Sequence, residues 1–216
     1  MLTTEQLQRE GLRRLSEPDL RHIIGVDEVG YGSWAGPVVV CAAVVPVGIV
    51  DPRIRDSKKV TSPRVRAHLA NFVLVPPLVV MERVEENSNE VIDYLGLVPA
   101  RDALVVMAVR ACLRRYPHAL VVMDGNVLPA GLDPKRSLCF PKADNLVLAV
   151  SAASLIAKAY RDSLMQDMHQ KYPQYGFDTN VGYGSRAHEE ALREYGVCPI
   201  HRVSYRNIRQ LVAGRG

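Results

Sequence analysis

The first third of the chain alternates apolar runs with short polar or glycine-rich breaks. Residues 23–29 are mostly apolar, carry the acidic pair Asp27-Glu28 near their end, and lead into a turn that contains several glycines. Residues 38–45 form a continuous apolar run rich in β-branched residues, which is typical of a strand buried on both faces. The tight turn between the two runs predicts that they pair as a hairpin.

The middle of the chain mixes helical and strand patterns. Ser62 and Pro63 provide an N-cap and a first-turn proline for a helix that ends near residue 71. Residues 72–84 predict a strand, which the prolines at 76–77 disturb near one end or confine to a sheet edge. The other elements predicted in this region are helices at 88–94 and 99–115 and strands at 119–123 and 137–140.

Helical patterns dominate the last third of the chain. A stretch rich in alanine, serine and leucine predicts a helix at 145–160, and further helices are predicted at 162–171 and 186–195. A short helix is also predicted at 2–15. Because strands dominate early and helices late, the pattern predicts a mixed α/β domain with a helical C-terminal part.

The composition is that of a soluble globular protein. The 216 residues are 48% hydrophobic and 23% charged, so one substantial core with an appendage is expected. The formal net charge of +4 is compatible with a polyanionic partner. Solvated lysines and arginines account for a charge of this size equally well, so the charge alone establishes no partner.

The cysteines and the apolar segments indicate a reducing compartment and no membrane anchor. The four cysteines are scattered and form no C-x-x-C pair, which is typical of buried thiols in such a compartment. Cys198 and His201 have zinc-like spacing, but no second pair completes a structural zinc site. The polar N-terminus lacks the apolar core of a signal peptide, and residues 35–50 are too short to span a bilayer. We therefore expect a cytoplasmic protein.

Four acids lie at the end of an apolar strand or at the start of a helix. They are Asp27, Glu28, Asp124 and Asp144. Desolvating carboxylates is costly, so a cation is the natural partner of such a group. The glycines that follow Asp27-Glu28 expose backbone N–H groups to anions and count against an ordinary strand and turn. For Asp144 alone, a helix cap explains the position without any ligand.

The four acids occur without a serine, cysteine or histidine arrangement for nucleophilic catalysis, which indicates hard divalent cations. Mg²⁺ or Mn²⁺ suits all-oxygen ligands and keeps waters for chemistry. In two-metal phosphodiester hydrolysis, one ion activates the attacking water and the other stabilises the leaving oxygen, with the ions roughly 4 Å apart. Asp162 is excluded, because a straight helix would place it roughly 27 Å from Asp144. A structural ion pair or a cap is expected instead for Asp162, which lies next to Arg161.

A series of different short motifs extends from about residue 22 to about residue 205. In order they are Gly25-Val26-Asp27-Glu28-Val29-Gly30-x-Gly32 with Ala35-Gly36-Pro37, Asp56-Ser57-Lys58-Lys59, Asp124-Gly125, Lys142-Ala143-Asp144, Ser151-Ala152-Ala153-Ser154-Leu155-Ile156-Ala157-Lys158 with Arg161-Asp162, Tyr172-Pro173-x-Tyr175-Gly176-Phe177, Gly182-Tyr183-Gly184, and Pro199-Ile200-His201-Arg202-x-Ser204-Tyr205. In this order they resemble ribonuclease HII, the prokaryotic type 2 ribonuclease H. One such motif is weak evidence, whereas the whole series is specific.

The resemblance implies an RNase H-like α/β fold, with a mixed central sheet flanked by helices and a helical C-terminal extension. It implies an N-terminal helical lead-in at 1–20, a catalytic core at 21–160, and at 161–216 an extension that completes the substrate groove. The implied activity is metal-dependent cleavage of RNA in RNA–DNA hybrids and at single ribonucleotides embedded in duplex DNA. The products would carry 3′-hydroxyl and 5′-phosphate ends.

The resemblance also implies roles for particular residues. Asp27, Glu28, Asp124 and Asp144 would be the metal-binding acids. The Gly30-Tyr31-Gly32 backbone would face the ribose 2′-hydroxyl, and Tyr183 would pack against the sugar on the deoxyribonucleotide side. Exposed backbone groups suit this task, because they read a 2′-hydroxyl without base preference.

Three lysines are candidate phosphate contacts, which would make binding sequence-independent and salt-sensitive. They are Lys58, Lys59 and Lys158. A solvated loop explains Lys58 and Lys59 equally simply, and an ion pair on a helix surface does so for Lys158.

The chain departs from the ribonuclease HII pattern at three places. The family usually has arginine where this chain has Tyr31, and often His-Lys where it has Asn180-Val181. It also tends to have asparagine at the position of Gly96. The first two departures remove no metal ligand but bear on affinity and on preference for an RNA–DNA junction.

Two other functions stay open from the sequence. One is a hybrid nuclease without the single-ribonucleotide preference, closer to ribonuclease HIII, although the chain lacks the long N-terminal domain typical of that family. The other is a non-catalytic hybrid-binding protein, against which the four retained acids count. Residues 211–216 contain no clear motif for binding a sliding clamp, and a monomer is expected.

Overall fold

The computed structural model describes residues 13–14, 19–55 and 62–213 of the chain. Within these residues, five strands form one mixed sheet. The strands are β1 (His22–Val29), β2 (Val38–Pro46), β3 (Met81–Asn87), β4 (Leu120–Asp124) and β5 (Ser137–Phe140). Their order in the sheet is β3-β2-β1-β4-β5. β1 and β2 are antiparallel neighbours, as the hairpin prediction required, and β1 also pairs in parallel with β4.

Helices cover both faces of this sheet and continue beyond it at the C-terminal end. The described helices are α1 (Pro52–Arg55), α2 (Pro63–Val73), α3 (Asn89–Leu95), α4 (Leu97–Arg115), α5 (Ala143–Leu146), α6 (Leu148–Lys171), α7 (Phe177–Asn180), α8 (Arg186–Tyr195) and α9 (Arg206–Ala213), with a 3₁₀ turn at Pro173–Tyr175. The two long helices, α4 and α6, pack on opposite faces of the sheet. None of the described helices is both long enough and apolar enough to cross a bilayer.

The strand β2 is buried on both faces, as its unbroken apolar run predicts. Val39 and Cys41 belong to the apolar cluster under α6, whereas Val38 and Val40 belong to the cluster under α4. Successive side chains of a strand point to opposite faces, so a continuous run of apolar residues fills both layers.

Gly25 brings β1 and α6 unusually close together. A Cβ atom built at Gly25 would lie 2.0 Å from the backbone carbon of Ala149 at the start of α6. Any larger residue there would push the helix away from the strand. This close approach places the following turns of α6 beside the end of β1, where Asp27 lies.

Three predicted elements differ from the structure, and the first of them is a strand. The strand predicted at 72–84 is wrong for residues 72–80, because Phe72 and Val73 complete α2 and β3 begins only at Met81. Prolines donate no ladder hydrogen bond, so the segment that carries Pro76 and Pro77 forms a connection instead. Apolar residues of the segment 72–80, such as Val73 and Val79, are still buried in the core. Its sequence therefore resembles that of a strand.

The helices predicted at 145–160 and 162–171 are confirmed as helical from residue 148 onwards, but the predicted start and the predicted break between them are wrong. Residues 143–146 form the separate short helix α5, and α6 then runs without interruption from Leu148 to Lys171. Arg161 and Asp162 therefore lie inside a helix and not at its end. Of the helix predicted at 2–15, the structure describes only residues 13–14, which are helical.

A third apolar cluster joins the C-terminal helices to the glycine-rich connection between β1 and β2. It includes Ala35 of that connection, Met165 of α6, Phe177, and Leu192 of α8. The backbone of the connection also pairs with the chain near its C-terminal end, through a bridge between Ala35 and His201. Segments far apart in sequence thus meet around residues 30–37.

Candidate active site

Asp27 and Glu28 lie at the carboxyl end of β1 and face opposite sides of the sheet. Asp27 shares the α6 side with Gly25, and Glu28 shares the α4 side with Ile24. The strand pairing continues regularly through both acids to Val29. The strand therefore contains no bulge that would turn both side chains to one face, and any common site must be completed at the end of the sheet.

Asp27 is buried and held by hydrogen bonds. Its carboxylate interacts with the Ser154 hydroxyl, and its Oδ1 accepts a 2.9 Å bond from the backbone N–H of Glu28. Lys158 donates to the Ser154 Oγ at 2.9 Å and brings a positive charge near the carboxylate. Burial is the largest effect on the pKa of Asp27 and raises it above the ordinary value, while these partners oppose the rise.

Glu28 lies in an environment that disfavours its charged form. Burial, followed by the charge of Asp27, raises the pKa of Glu28 to about 7, and Arg101 on α4 opposes this rise. Its Oε2 atom is buried and has no hydrogen-bond partner among the described residues. An unpaired buried carboxylate oxygen costs free energy, and a cation would remove that cost.

Asp124 lies next to Asp27 across the parallel pair of strands. The register pairs Val26 with Met123, so each acid follows directly in its strand. Neighbouring strands are about 4.8 Å apart, which makes these two acids close neighbours. The negative charge of Asp124 acts on both Asp27 and Glu28 and raises the pKa of each. Asp124 therefore interacts electrostatically with the acids on both faces of the sheet.

The backbone of α5, on which Asp144 lies, contacts Asp124. Ala143, the neighbour of Asp144, donates a 3.2 Å backbone hydrogen bond to the Oδ1 of Asp124. Asp144 belongs to the first turn of α5, and Lys142 occupies the N-cap position. The alternative explanation of Asp144 as a helix cap is therefore wrong. The Ser151 hydroxyl donates to its backbone carbonyl and ties α5 to α6.

The acids supply an all-oxygen set of donors without forming a closed cage. Among the described residues, no three acidic, histidine or cysteine side chains converge tightly enough to hold an ion by themselves. Mg²⁺ is usually bound through one or two carboxylates, together with waters and substrate phosphates. The unpaired Glu28 oxygen and the mutually repelling acids fit such an open site.

The two glycines of the Gly30-Tyr31-Gly32 segment have different structural roles. Gly30 has a φ of +83°, and a Cβ there would lie 2.3 Å from Arg161 Nε and 2.6 Å from the Pro37 carbonyl oxygen. A Cβ at Gly32 would meet only Tyr183, at 3.9 Å. Gly30 is therefore required by the fold, whereas the space above Gly32 is open to a ligand.

Two buried arginines hold this glycine-rich connection. Arg161 donates to the Pro37, Ala35 and Val181 carbonyls at 3.0, 3.1 and 2.7 Å and to the Ser33 hydroxyl at 2.8 Å. Burial lowers the pKa of Arg161 to about 10, so it remains a cation at neutral pH. Asp162 forms an ion pair with Arg66 of α2, so the structural ion pair predicted for Asp162 is confirmed, with a partner from a distant segment.

Arg202 holds the same connection from the other side. It donates to the carbonyls of Gly36 and Tyr31 at 3.0 and 3.1 Å and to the Tyr205 hydroxyl at 2.8 Å. Sequence reasoning missed the roles of both arginines, because a charged residue in a local pattern is expected at the surface. Their presence in the quoted motifs was the only signal.

The structure brings Tyr183 and Lys158 to the site, but from different directions. The Tyr183 side chain is 40% exposed, next to Gly32, and its ring centre lies 5.8 Å from the Arg161 guanidinium carbon. Lys158 points to Ser154 and Asp27, which replaces the surface ion pair considered for it. Lys58 and Lys59 lie outside the described residues.

Solved structures define the class of fold. The crystal structure of ribonuclease H2 from Pyrococcus horikoshii is similar with a TM-score of 0.63 and 25% identity, covering 90% of this chain and 98% of that one. RNase HII in its PCNA complex from Archaeoglobus fulgidus gives 0.69 at 23% identity, covering 88% and 96%. Bst-RNase HIII in complex with Mn²⁺ gives 0.70 at 18% identity, covering 93% and 72%. The fold is therefore the RNase H-like fold of type 2 ribonucleases H, and the predicted fold class is confirmed.

Sequence comparison gives the family. The family model described as Ribonuclease HII matches residues 24–208. Ribonuclease HII of Chlamydia caviae is 42% identical over 190 residues, which covers 88% of this chain and 86% of the relative. That of Syntrophobacter fumaroxidans is 40% identical over 187 residues, covering 87% and 77%. The chain belongs to the ribonuclease HII family, and it is a metal-dependent hydrolase that acts as an endoribonuclease on RNA–DNA hybrids.

Proposed function

We propose that this chain cleaves RNA–DNA hybrids and also duplex DNA at single embedded ribonucleotides, by two-metal hydrolysis that leaves 3′-hydroxyl and 5′-phosphate ends. The proposed metal-binding and catalytic acids are Asp27, Glu28, Asp124 and Asp144. The observation that supports this most is the buried, unpaired Oε2 of Glu28 beside two other carboxylates. Without a cation, this concentration of charge opposes the folded state.

The donors at the site fit Mg²⁺ or Mn²⁺, since both prefer oxygen ligands. When bound, the two ions would supply activation of the attacking water and stabilisation of the leaving oxygen. Asp27 is kept in one orientation by Ser154 and by the Glu28 backbone N–H. The other three proposed ligands come from different elements. Glu28 lies on the opposite face of β1, Asp124 lies at the end of β4, and Asp144 lies on α5.

The chain's own groups would select a ribonucleotide. The segment Gly30-Tyr31-Gly32 is proposed to recognise the 2′-hydroxyl. The space beside Gly32 is open, and because glycine has no Cβ atom, a ligand can approach the backbone there. Tyr183 lies on the other side of this space and is the proposed contact of the deoxyribose that follows. Lys158, on the Asp27 side, is the proposed phosphate contact, with Lys58 and Lys59.

We further propose that the chain acts as a cytoplasmic monomer. The division into a lead-in at 1–20, a core at 21–160 and an extension at 161–216 is proposed with it. The third apolar cluster supports a joint role of the last two parts, because residues from both surround the glycine-rich connection.

The test is a cleavage assay on two substrates that share one sequence. One is a duplex DNA with a single ribonucleotide, and the other is a continuous RNA–DNA hybrid, each with Mg²⁺, with Mn²⁺ and with EDTA. We expect metal-dependent cleavage of both, with a 3′-hydroxyl and a 5′-phosphate at each cut. Cleavage of the hybrid alone would favour the nuclease without single-ribonucleotide preference. Tight hybrid binding without cleavage in any metal would favour a binding protein.

A further inference from the structure

Arg101 is a cation beside the acids that the proposed mechanism does not use. It lies in the second turn of α4, and its side chain is only 12% exposed. Its guanidinium carbon lies 5.8 Å from the centre of the Tyr31 ring, within the range of a cation–π contact. Its charge also acts on Glu28, which lies on the same face of the sheet. Arg101 therefore connects the glycine-rich connection with the acid cluster.

The hydrogen-bonding capacity of Arg101 is incompletely used. Its Nε lies 2.9 Å from the Oδ1 of Asp102, yet neither atom has a hydrogen-bond partner of acceptable geometry among the described residues. Burying a guanidinium donor without a partner costs free energy. The acids that interact with Arg101 are Asp102 on its own helix and Glu28 on β1.

Tyr31 is held where it can position this cation. Its carbonyl oxygen accepts bonds from Arg202 at 3.1 Å and from the Tyr205 hydroxyl at 3.2 Å, so its backbone is fixed. Its side chain is 37% exposed and leaves the ring available on the surface. The ring face that Arg101 approaches thus belongs to a rigid part of the loop.

We propose that Tyr31 and Arg101 form one phosphate-binding element, in which the tyrosine ring positions the guanidinium and the guanidinium donates to a phosphate oxygen of the bound strand. This inference rests on the proposed function, because it takes the acid cluster to be the place of cleavage. A guanidinium donates in a planar fork that matches the two oxygens of a phosphate. The Tyr31–Arg101 element places an arginine side chain beside residue 31. This chain has tyrosine at that position, whereas the ribonuclease HII pattern has arginine.

The test measures the affinity of the full chain for a continuous RNA–DNA hybrid in EDTA over a series of salt concentrations. Arg101→Gln is expected to weaken binding about tenfold and to lower the slope of log affinity against log salt by about one. Arg101→Lys is expected to keep the slope but lose part of the affinity, since it keeps the charge and loses the fork. The matched control is Arg110→Gln, because Arg110 is exposed on the same helix.

Tyr31 variants separate positioning by the ring from other effects. Tyr31→Phe should bind as the wild type does, whereas Tyr31→Leu should lose part of the affinity. Arg101→Gln combined with Tyr31→Leu should be no weaker than Arg101→Gln alone, because the two residues act through one contact. Additive losses would overturn the shared role, and a slope for Arg101→Gln equal to that of Arg110→Gln would overturn the phosphate contact.

Two further measurements keep the outcomes distinct. Thermal unfolding of each variant shows whether a loss of binding reflects a loss of folded protein, and Arg101→Lys decides the question if Arg101→Gln does not fold. Cleavage by the wild-type protein in Mg²⁺ is followed in the same preparation. Absence of that cleavage counts against the proposed function, whereas the variant slopes count only for or against the Tyr31–Arg101 element.

Discussion

His188 and His201 face each other through their Nε2 atoms, which lie 3.0 Å apart in the buried C-terminal part of the protein. The Nδ1 of His201 accepts from the Cys198 N–H at 2.8 Å, and the Nδ1 of His188 donates to the Tyr183 carbonyl at 2.9 Å. Two neutral rings satisfy this chain of bonds when His201 donates to His188. The pair therefore supports the segment that presents Tyr183.

Acidification should destabilise the protein through this pair. Burial, together with the adjacent His188, lowers the pKa of His201 to about 4, and burial also lowers the pKa of His188. The unfolded chain, with a histidine pKa near 6.5, then binds more protons than the folded one. The stability from His201 is complete above about pH 6.5 and is lost as the pH falls towards 4, by about 3 kcal/mol.

Urea unfolding of the wild type and of His201→Gln across this pH range checks the expectation. The raised pKa values of Asp27 and Glu28 act with the opposite sign, so the difference between the two proteins is the informative quantity. That difference should shrink as the pH falls. His118→Gln, at an exposed position, is the control. If the difference in the free energy of unfolding between the wild type and His201→Gln stayed constant with pH, the role of the histidine pair would be contradicted.

Neutralising an acid of the site should stop turnover without preventing binding. Asp27→Asn or Asp124→Asn is expected to abolish cleavage in Mg²⁺ and to leave hybrid affinity largely intact, because phosphate contacts do not depend on these carboxylates. Single-turnover cleavage and filter binding measure the two effects. Asp167→Asn, at an exposed position of α6, should retain full activity. Full activity of Asp27→Asn would remove it from the site.

The two glycines should respond differently to alanine. Gly30→Ala forces a Cβ towards Arg161 and the Pro37 carbonyl in a left-handed conformation, and should lower the free energy of unfolding by more than about 1 kcal/mol. Gly32→Ala meets no atom closer than 3.9 Å and should change it by less than about 0.5 kcal/mol.

Activity completes this comparison. Gly32→Ala should impair cleavage of the single-ribonucleotide duplex although the protein stays folded, because its methyl group enters the space left for the substrate. Denaturant unfolding and cleavage are measured on the same samples. A fully active Gly32→Ala protein would show that the backbone at this position does not approach the ribose.

Tyr183 should affect junctions more than continuous hybrid. Tyr183→Ala removes the ring beside Gly32 and should lower the ratio of single-ribonucleotide cleavage to hybrid cleavage. Tyr183→Phe keeps the ring and should keep the ratio. The control is Tyr195→Ala, since Tyr195 is exposed at the end of α8. An unchanged ratio in Tyr183→Ala would assign the tyrosine to the loop structure alone.

Arg161 should be one of the costliest residues to replace. Arg161→Met leaves the carbonyls of the glycine-rich connection without their donor and should destabilise the fold by about 3 kcal/mol or more. Asp162→Asn removes only the largely buried ion pair with Arg66 and should cost less, about 2 kcal/mol. Thermal unfolding in double-mutant cycles should couple Asp162 to Arg66 more strongly than to Arg161.

Local patterns predicted those elements whose character is decided by neighbours in the sequence. The apolar run of β2 and the segment 137–140 were predicted as strands, and the helix at 186–195 was predicted with its observed bounds. Periodic burial is a property of a short segment, so it can be recognised before the fold is known. The acids were recognised in the same way, from carboxylates placed at strand ends.

Long-range contacts determine the features that the local sequence pattern does not predict. Residues 72–80 are apolar because they cover the core in a helix end and a connection, so their composition does not distinguish them from a strand. Arg161 and Arg202 are buried because carbonyls from distant segments converge on them, and such donors and acceptors have no fixed spacing in the sequence.

The site itself shows the same division. The sequence alone determined which residues carry carboxylates, that a glycine-rich segment follows the first pair, and to which family the motifs are similar. Only the tertiary structure decided that Asp27 faces Ser154 and Lys158, that Glu28 faces Arg101, and that an arginine on α4 approaches Tyr31. Side-chain direction within a strand follows locally, but its surroundings depend on which helix covers each face, and that is settled by packing across the whole chain.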